Sequence, residues 1–193
     1  MDKTKFKILA FDPGLTTTGW SLLEGNTSDG DLVVLKIGEI HPGPTVDKVA
    51  YREDVEKFDK RTISLAYLRE QITLLMNDLK PDFVCCEDIY INIHRPQAYA
   101  SLCMWICTVR MLCRDHLGKY LVSVPTKVCK KEICGIANGG KTPVQESLLN
   151  HKHVKFKDEY DKMHMSEHQA DSIAVAVAFR NRYGDCIAKT LGV

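Results

Sequence analysis

Four acids, two at the ends of apolar runs and two opening a late apolar segment, are of residue types and spacing that could hold a cation. The apolar run Ile8-Leu9-Ala10-Phe11 leads directly into Asp12 and then turns on Pro13 and Gly14. Pro13 fixes φ and Gly14 tolerates positive φ, so the chain is expected to reverse and a second strand from about Gly19 to pair beside the first. Asp12 would then be held at the end of rigid β structure. A second apolar run, Phe83-Val84-Cys85-Cys86, ends on Glu87. Near the C-terminal end, Glu167, His168 and Asp171 open a segment continuing as Ile173, Val175, Ala176, Val177 and Phe179. On a helix, neighbours at i,i+3 and i,i+4 share a face, so either His168 or Glu167 can point with Asp171 at one spot. Crowded carboxylates repel each other and need a cation to offset them, and hard oxygen ligands suit Mg²⁺ or Mn²⁺. Each acid also has a plainer explanation: Asp is common in turns, and acids are favoured in the first turn of a helix by its dipole. The combination is more specific than any member.

The elements needed to position these residues are legible in outline. Residues from about Phe6 to Phe11, Gly19 to Leu23 and Leu32 to Ile40 read as three antiparallel strands separated by turn residues. His41 to Lys60 carries Pro42, Pro44 and many charges and reads as a loop. Leu65, Leu68, Ile72, Leu75 and Leu79 recur at helical spacing, and Pro81 stops that helix. Asp82 to Glu87 then has the pattern of a strand buried inside a sheet. A long helix is expected from Pro96 to His116, apolar around much of its circumference through Leu102, Met104, Trp105, Ile106 and Val109, and so buried or paired with another chain. Tyr120 to Val124 gives a fifth strand, and helices from about Thr126, Thr142 and Ser166 complete the order. The expectation is an α/β fold: a mixed five-stranded sheet, three antiparallel strands then two parallel ones, flanked by helices.

At 193 residues, with 45% hydrophobic and 26% charged residues, the chain can bury one sizeable core and is read as one domain over residues 1–193. The net charge of +1 neither supports nor excludes a nucleic-acid partner, so local charge must decide. Eight cysteines without a CxxC pair read as reduced thiols. With no signal-like N-terminus and no apolar run near the ~20 residues of a membrane span, a cytoplasmic location is expected, in a bacterial cell or in the host cell of a virus.

Ile8-Leu9-Ala10-Phe11-Asp12-Pro13-Gly14-Leu15 with Thr18-Gly19-Trp20, Glu87-Asp88-Ile89-Tyr90, the basic stretch Val124 to Gly135 followed by Gly140 to Gln145, and His168-Gln169-Ala170-Asp171-Ser172-Ile173 are similar in content and spacing to motifs of one family. The chain resembles the RuvC-type Holliday junction resolvases of the ribonuclease H-like superfamily, from Phe6 to about Tyr183. The resemblance implies Asp12, Glu87 and Asp171 as metal ligands, Tyr90 as an aromatic entering the junction centre, and Lys130 and Lys141 as lysines important for cleavage and phosphate contact. The position three before Asp171, often Asp in the family, is His168 here. An imidazole ligand is softer than carboxylate and shifts preference from Mg²⁺ toward Mn²⁺. Glu167 is the rival for that fourth place.

The activity so implied is metal-dependent hydrolysis of phosphodiesters in four-way DNA, with two ions per site. Arg95, Lys127, Lys130, Lys131 and Lys141 would contact DNA phosphates, with Lys152, Lys155 and Lys157 as further basic residues and Phe156 as a second aromatic. Two symmetric cuts imply a homodimer, with the Pro96 to His116 helix and Trp105 or its neighbours at the two-fold axis. Other readings on the same scaffold are a ribonuclease H-like nuclease acting on RNA/DNA hybrids or on flap and branched DNA, and a noncatalytic junction-binding protein. The turn at Asp12 also resembles the phosphate-binding hairpin of actin-like ATPases, but those need two such domains and this length argues against them.

Overall fold

A computed structural model describes residues 4–28, 30–89, 96–135 and 144–192. Tyr90, Arg95 and Lys141 therefore lie outside the described residues, as does Thr142 at the expected start of a helix. The order is β1 (Lys5–Asp12), β2 (Thr18–Asn26), β3 (Leu32–Ile40), α1 (Pro42–Val46), a 3-10 turn (Val49–Tyr51), α2 (Arg52–Phe58), α3 (Lys60–Leu79), β4 (Phe83–Glu87), α4 (Pro96–Leu117), β5 (Leu121–Val124), α5 (Thr126–Cys134), α6 (Val144–Leu149), β6 (Val154–Phe156), α7 (Glu159–His164) and α8 (Glu167–Leu191).

The strands form one sheet in the order β5-β4-β1-β2-β3-β6. β1, β2 and β3 pair antiparallel, while β4 joins β1 and β5 joins β4 in parallel. This is the expected mixed sheet with one strand more. β6, three residues long, lies parallel to β3 at the sheet edge. It is too short for alternation to stand out within Lys152 to Lys157, although Val154 is buried and Phe156 packs on the core. Phe156, expected as a second base-stacking aromatic, is instead half-buried against the core. Lys155 pairs with Asp31 at this edge, on the far side of β3 from the acids.

Period-two alternation divides the core into two layers. Ile8, Ala10, Leu23 and Cys85 face α8, which lays Ala170, Ile173, Ala174 and Val177 on the sheet. Leu9, Phe11, Val84 and Cys86 face the opposite way onto α3 and α4, with Leu68, Ile72, Trp105 and Val109. The segment expected to be a loop after His41 is instead largely helical. Pro42 occupies a position at the start of α1 where its missing N–H costs no hydrogen bond, and Pro42, Gly43 and Val46 are buried. α3 ends at a left-handed Lys80 just before Pro81.

Trp105 corrects the reading of α4. It is fully buried in its own chain, its ring edge-on to Phe11 with centroids 5.6 Å apart. Among the exposed residues of α4 is a stripe of Ala100, Met104, Cys107 and Met111, at spacings that repeat one helical face. No described helix is long and apolar enough to cross a membrane.

Candidate active site

Asp12 and Glu87 end adjacent parallel strands. The register pairs Phe11 with Cys86, so the two acids follow one another at the same edge of the sheet. Phe11 and Cys86 point to the α3 and α4 layer, and alternation turns Asp12 and Glu87 to the α8 side. There the first turns of α8 meet them.

Gly19 determines how closely α8 can approach. It is the β2 partner of Asp12, and a Cβ there would run into the His168 carbonyl and Cβ. With no side chain in that place, the helix start rests on the strand itself. His168 Nδ1 then lies 2.6 Å from Asp12 Oδ2. The Asp12 side chain is 13% exposed and that of His168 is 48% exposed, so the pair opens to solvent on the histidine side. Ser166 caps the helix, its Oγ accepting from Gln169 N at 3.2 Å while Gln169 Oε1 accepts from Ser166 N at 2.8 Å.

The turn after Asp12 is anchored from the opposite layer. Thr18 Oγ1 donates to Gly14 O at 2.6 Å and accepts from Trp105 Nε1 at 3.0 Å. Gly14 does not have the positive φ expected of it. Its reason is space: a Cβ would collide with the Thr17 carbonyl.

The electrostatics identify a crowded acidic centre. Burial, then the charges of Asp12 and Asp171, push Glu87 up to about 7, against relief from a Thr126 hydrogen bond and Lys130. Burial, with the charges of Asp12 and Glu167, pushes Asp171 up to about 6, again eased by Lys130 and by His168. Asp12 is raised by burial even though His168 opposes the shift. For His168, burial disfavours the imidazolium, but the hydrogen bond and charge of Asp12, with the charges of Glu39 and Asp171, outweigh it and raise its pKa. Buried carboxylates that destabilise one another are a donor set suited to a hard divalent cation. Among the described residues no three His, Cys, Asp or Glu side chains already close around a cation position. Asp12 is engaged with His168.

The structure thus brings together Asp12, Glu87, His168 and Asp171, with Lys130 close enough to act on two of the acids. Glu167 is exposed, and its charge reaches Asp12 and Asp171. Lys127, Lys130 and Lys131 are exposed on α5, which starts beside Glu87. Two neighbours were missed in the sequence. Thr126 was read only as a helix start, although its place directly after the strand paired with Glu87 is a local signal. Glu39 carried no signal, because only strand pairing brings it near Asp12.

No protein-family model matches the chain. It is 26% identical over 173 residues to the crossover junction endodeoxyribonuclease RuvC of Ehrlichia canis, a match spanning 88% of this chain and 93% of that protein. Among solved structures, Thermus thermophilus RuvC in complex with Holliday junction substrate superimposes with a TM-score of 0.69 at 14% identity, covering 93% of this chain and 96% of that one. The yeast mitochondrial Holliday junction resolvase Ydc2 gives a TM-score of 0.64 at 15% identity, with coverages of 95% and 83%. This is a ribonuclease H-like fold, and its likeness in both sequence and structure is to the RuvC-type Holliday junction resolvases.

Proposed function

We propose that this chain is a metal-dependent endonuclease that resolves four-way DNA junctions by paired phosphodiester hydrolysis. The observation that carries this reading is the convergence of Asp12, Glu87 and Asp171 from β1, β4 and α8 beside Lys130, in a fold shared over 93% of the chain with a RuvC structure. Asp12, Glu87 and Asp171 would hold Mg²⁺ or Mn²⁺, with His168 or Glu167 completing the set. Bound divalent ions supply Lewis acidity that activates water and offsets charge on the leaving 3′ oxygen. Lys130 neutralises charge on the scissile phosphate. Lys127 and Lys131 grip the backbone on either side, with Arg95 and Lys141 extending that contact and Tyr90 stacking on bases at the junction centre. The decisive assay presents synthetic four-way DNA, flap DNA and an RNA/DNA hybrid separately with each metal. Symmetric cuts in the four-way DNA are expected, and preferential cleavage of the hybrid would replace this reading by a ribonuclease H activity.

The fourth ligand is assigned to His168, since its ring already contacts Asp12. Faster cleavage with Mn²⁺ than with Mg²⁺ is expected, with His168→Asp restoring Mg²⁺ preference and Glu167→Gln having a mild effect. If Glu167→Gln inactivates the protein while His168→Ala is tolerated, the roles are reversed.

Two cuts related by a two-fold axis require two active sites, and the exposed stripe of α4 is proposed as the surface joining two copies. Met111 is 66% exposed and Met104 is 39% exposed, so aspartate at both should leave the fold intact while separating the copies. The double variant should sediment as a monomer and nick junctions without resolving them. A wild-type protein that remains monomeric on junction DNA excludes this interface.

A further inference from the structure

We infer that Glu39 is a positioning residue of the active site, tying the start of α8 to the end of β3 so that His168 and Asp171 are held over Asp12. The inference rests on the metal-site reading above, which assigns those three residues. Its basis is a row of three residues across the sheet. Asp12 pairs with Gly19, and Gly19 pairs with Glu39, so one acid flanks the glycine on each side. The helix start occupies the space above Gly19 that a side chain would fill. It is tethered on both sides of that slot. On one side His168 Nδ1 meets Asp12, and on the other Ser166 Oγ donates to Glu39 Oε1.

The two tethers have different jobs. The Asp12 contact involves two proposed metal ligands, so metal binding acts on it directly. The Glu39 contact involves neither, and so can persist in both states. Ser166 Oγ has a proton to donate to Glu39 while accepting from Gln169 N, which makes the cap and the tether mutually compatible. A carboxylate acceptor makes this a charge-assisted bond, at the end of a helix where negative charge is favoured. Glu39 is itself held: Oε2 lies 3.2 Å from His41 Nε2, and His41 Nδ1 lies 3.4 Å from Thr17 Oγ1 in the turn after Asp12. A chain of side chains therefore runs from that turn through His41 and Glu39 to the cap of α8. It fixes the rotation that decides which first-turn residue meets Asp12.

Glu39→Ala, Glu39→Gln and Ser166→Ala, compared with wild type, test this. Three readouts apply: hydrogen exchange at the Gln169 and Ala170 amides in metal-free protein, Mn²⁺ affinity by calorimetry, and kcat and KM on four-way DNA. Glu39→Ala and Ser166→Ala should both speed exchange at those amides. Glu39→Ala should weaken Mn²⁺ binding by about tenfold or more, as loss of a ligand-orienting partner does, and lower kcat while KM for the junction stays near wild type. Glu39→Gln keeps an amide oxygen for Ser166 and should remain within a few-fold of wild type in all three. Wild-type Mn²⁺ affinity and exchange in Glu39→Ala would overturn the inference. So would a Glu39→Gln variant as impaired as Glu39→Ala, since the charge itself would then be the requirement. A wild-type protein that fails to cut four-way DNA would fail the functional reading alone, because exchange and Mn²⁺ binding still report on the tether.

Discussion

Asp12→Asn is expected to lower four-way junction cleavage at least about a thousandfold, because a lost metal ligand removes several kcal/mol of transition-state stabilisation and each ~1.4 kcal/mol is a factor of ten. Glu87→Gln and Asp171→Asn should act comparably, since each removes a charged oxygen ligand without adding bulk. Junction binding, measured in EDTA, should stay within a few-fold of wild type for all three. Affinity for DNA comes mainly from phosphate contacts, and the lysines of α5 are untouched by these changes. Asp12 should be the most sensitive, being central among the acids: its charge acts on both Glu87 and Asp171. Single-turnover cleavage alongside binding separates the two contributions. Near-wild-type cleavage by any one variant removes that residue from the site.

Glu87→Gln is also expected to stabilise the metal-free protein at pH 8 while abolishing its activity. Folding raises Glu87 from an ordinary 4.5 to about 7, chiefly by burial and next by the charge of Asp12. A carboxyl raised in this way contributes its stability fully below pH 4.5 and loses it as pH rises through 7. By pH 8 the folded metal-free protein carries an ionised Glu87 at a cost of about 3 kcal/mol relative to the unfolded chain. Glutamine is never ionised, so that cost disappears. In EDTA at pH 8 the variant should melt about 6–10 °C above wild type, and the difference should shrink toward zero near pH 5. Adding Mn²⁺ should reverse the order, because a ligand that binds only the folded state stabilises whichever protein retains the site. Equal melting of the two proteins in EDTA at pH 8 would show that Glu87 is not a strained carboxylate. The site's acids are thus read as a local destabilisation that metal offsets.

The chemistry-bearing residues were legible in the sequence because their setting is local. Asp12 and Glu87 each follow an apolar strand, and the period of two that buries Phe11 and Cys86 also turns both acids to one face. Asp171 was legible from helical spacing, and the three antiparallel strands from their turn residues. The sequence alone left the choice between His168 and Glu167 open, because i,i+3 and i,i+4 are equally good neighbours until the helix rotation is known. What tertiary structure decides is which of them meets Asp12: Gly19 admits the helix start onto β2, where His168 contacts Asp12 and Ser166 contacts Glu39. Trp105 shows the same division. An apolar helix announces that something is buried, but whether the partner is its own sheet or another chain depends on which face meets Phe11 and Thr18, residues more than eighty positions away. Local pattern reports which residues avoid water and how the chain turns, while contacts between distant segments depend on packing that no local window contains.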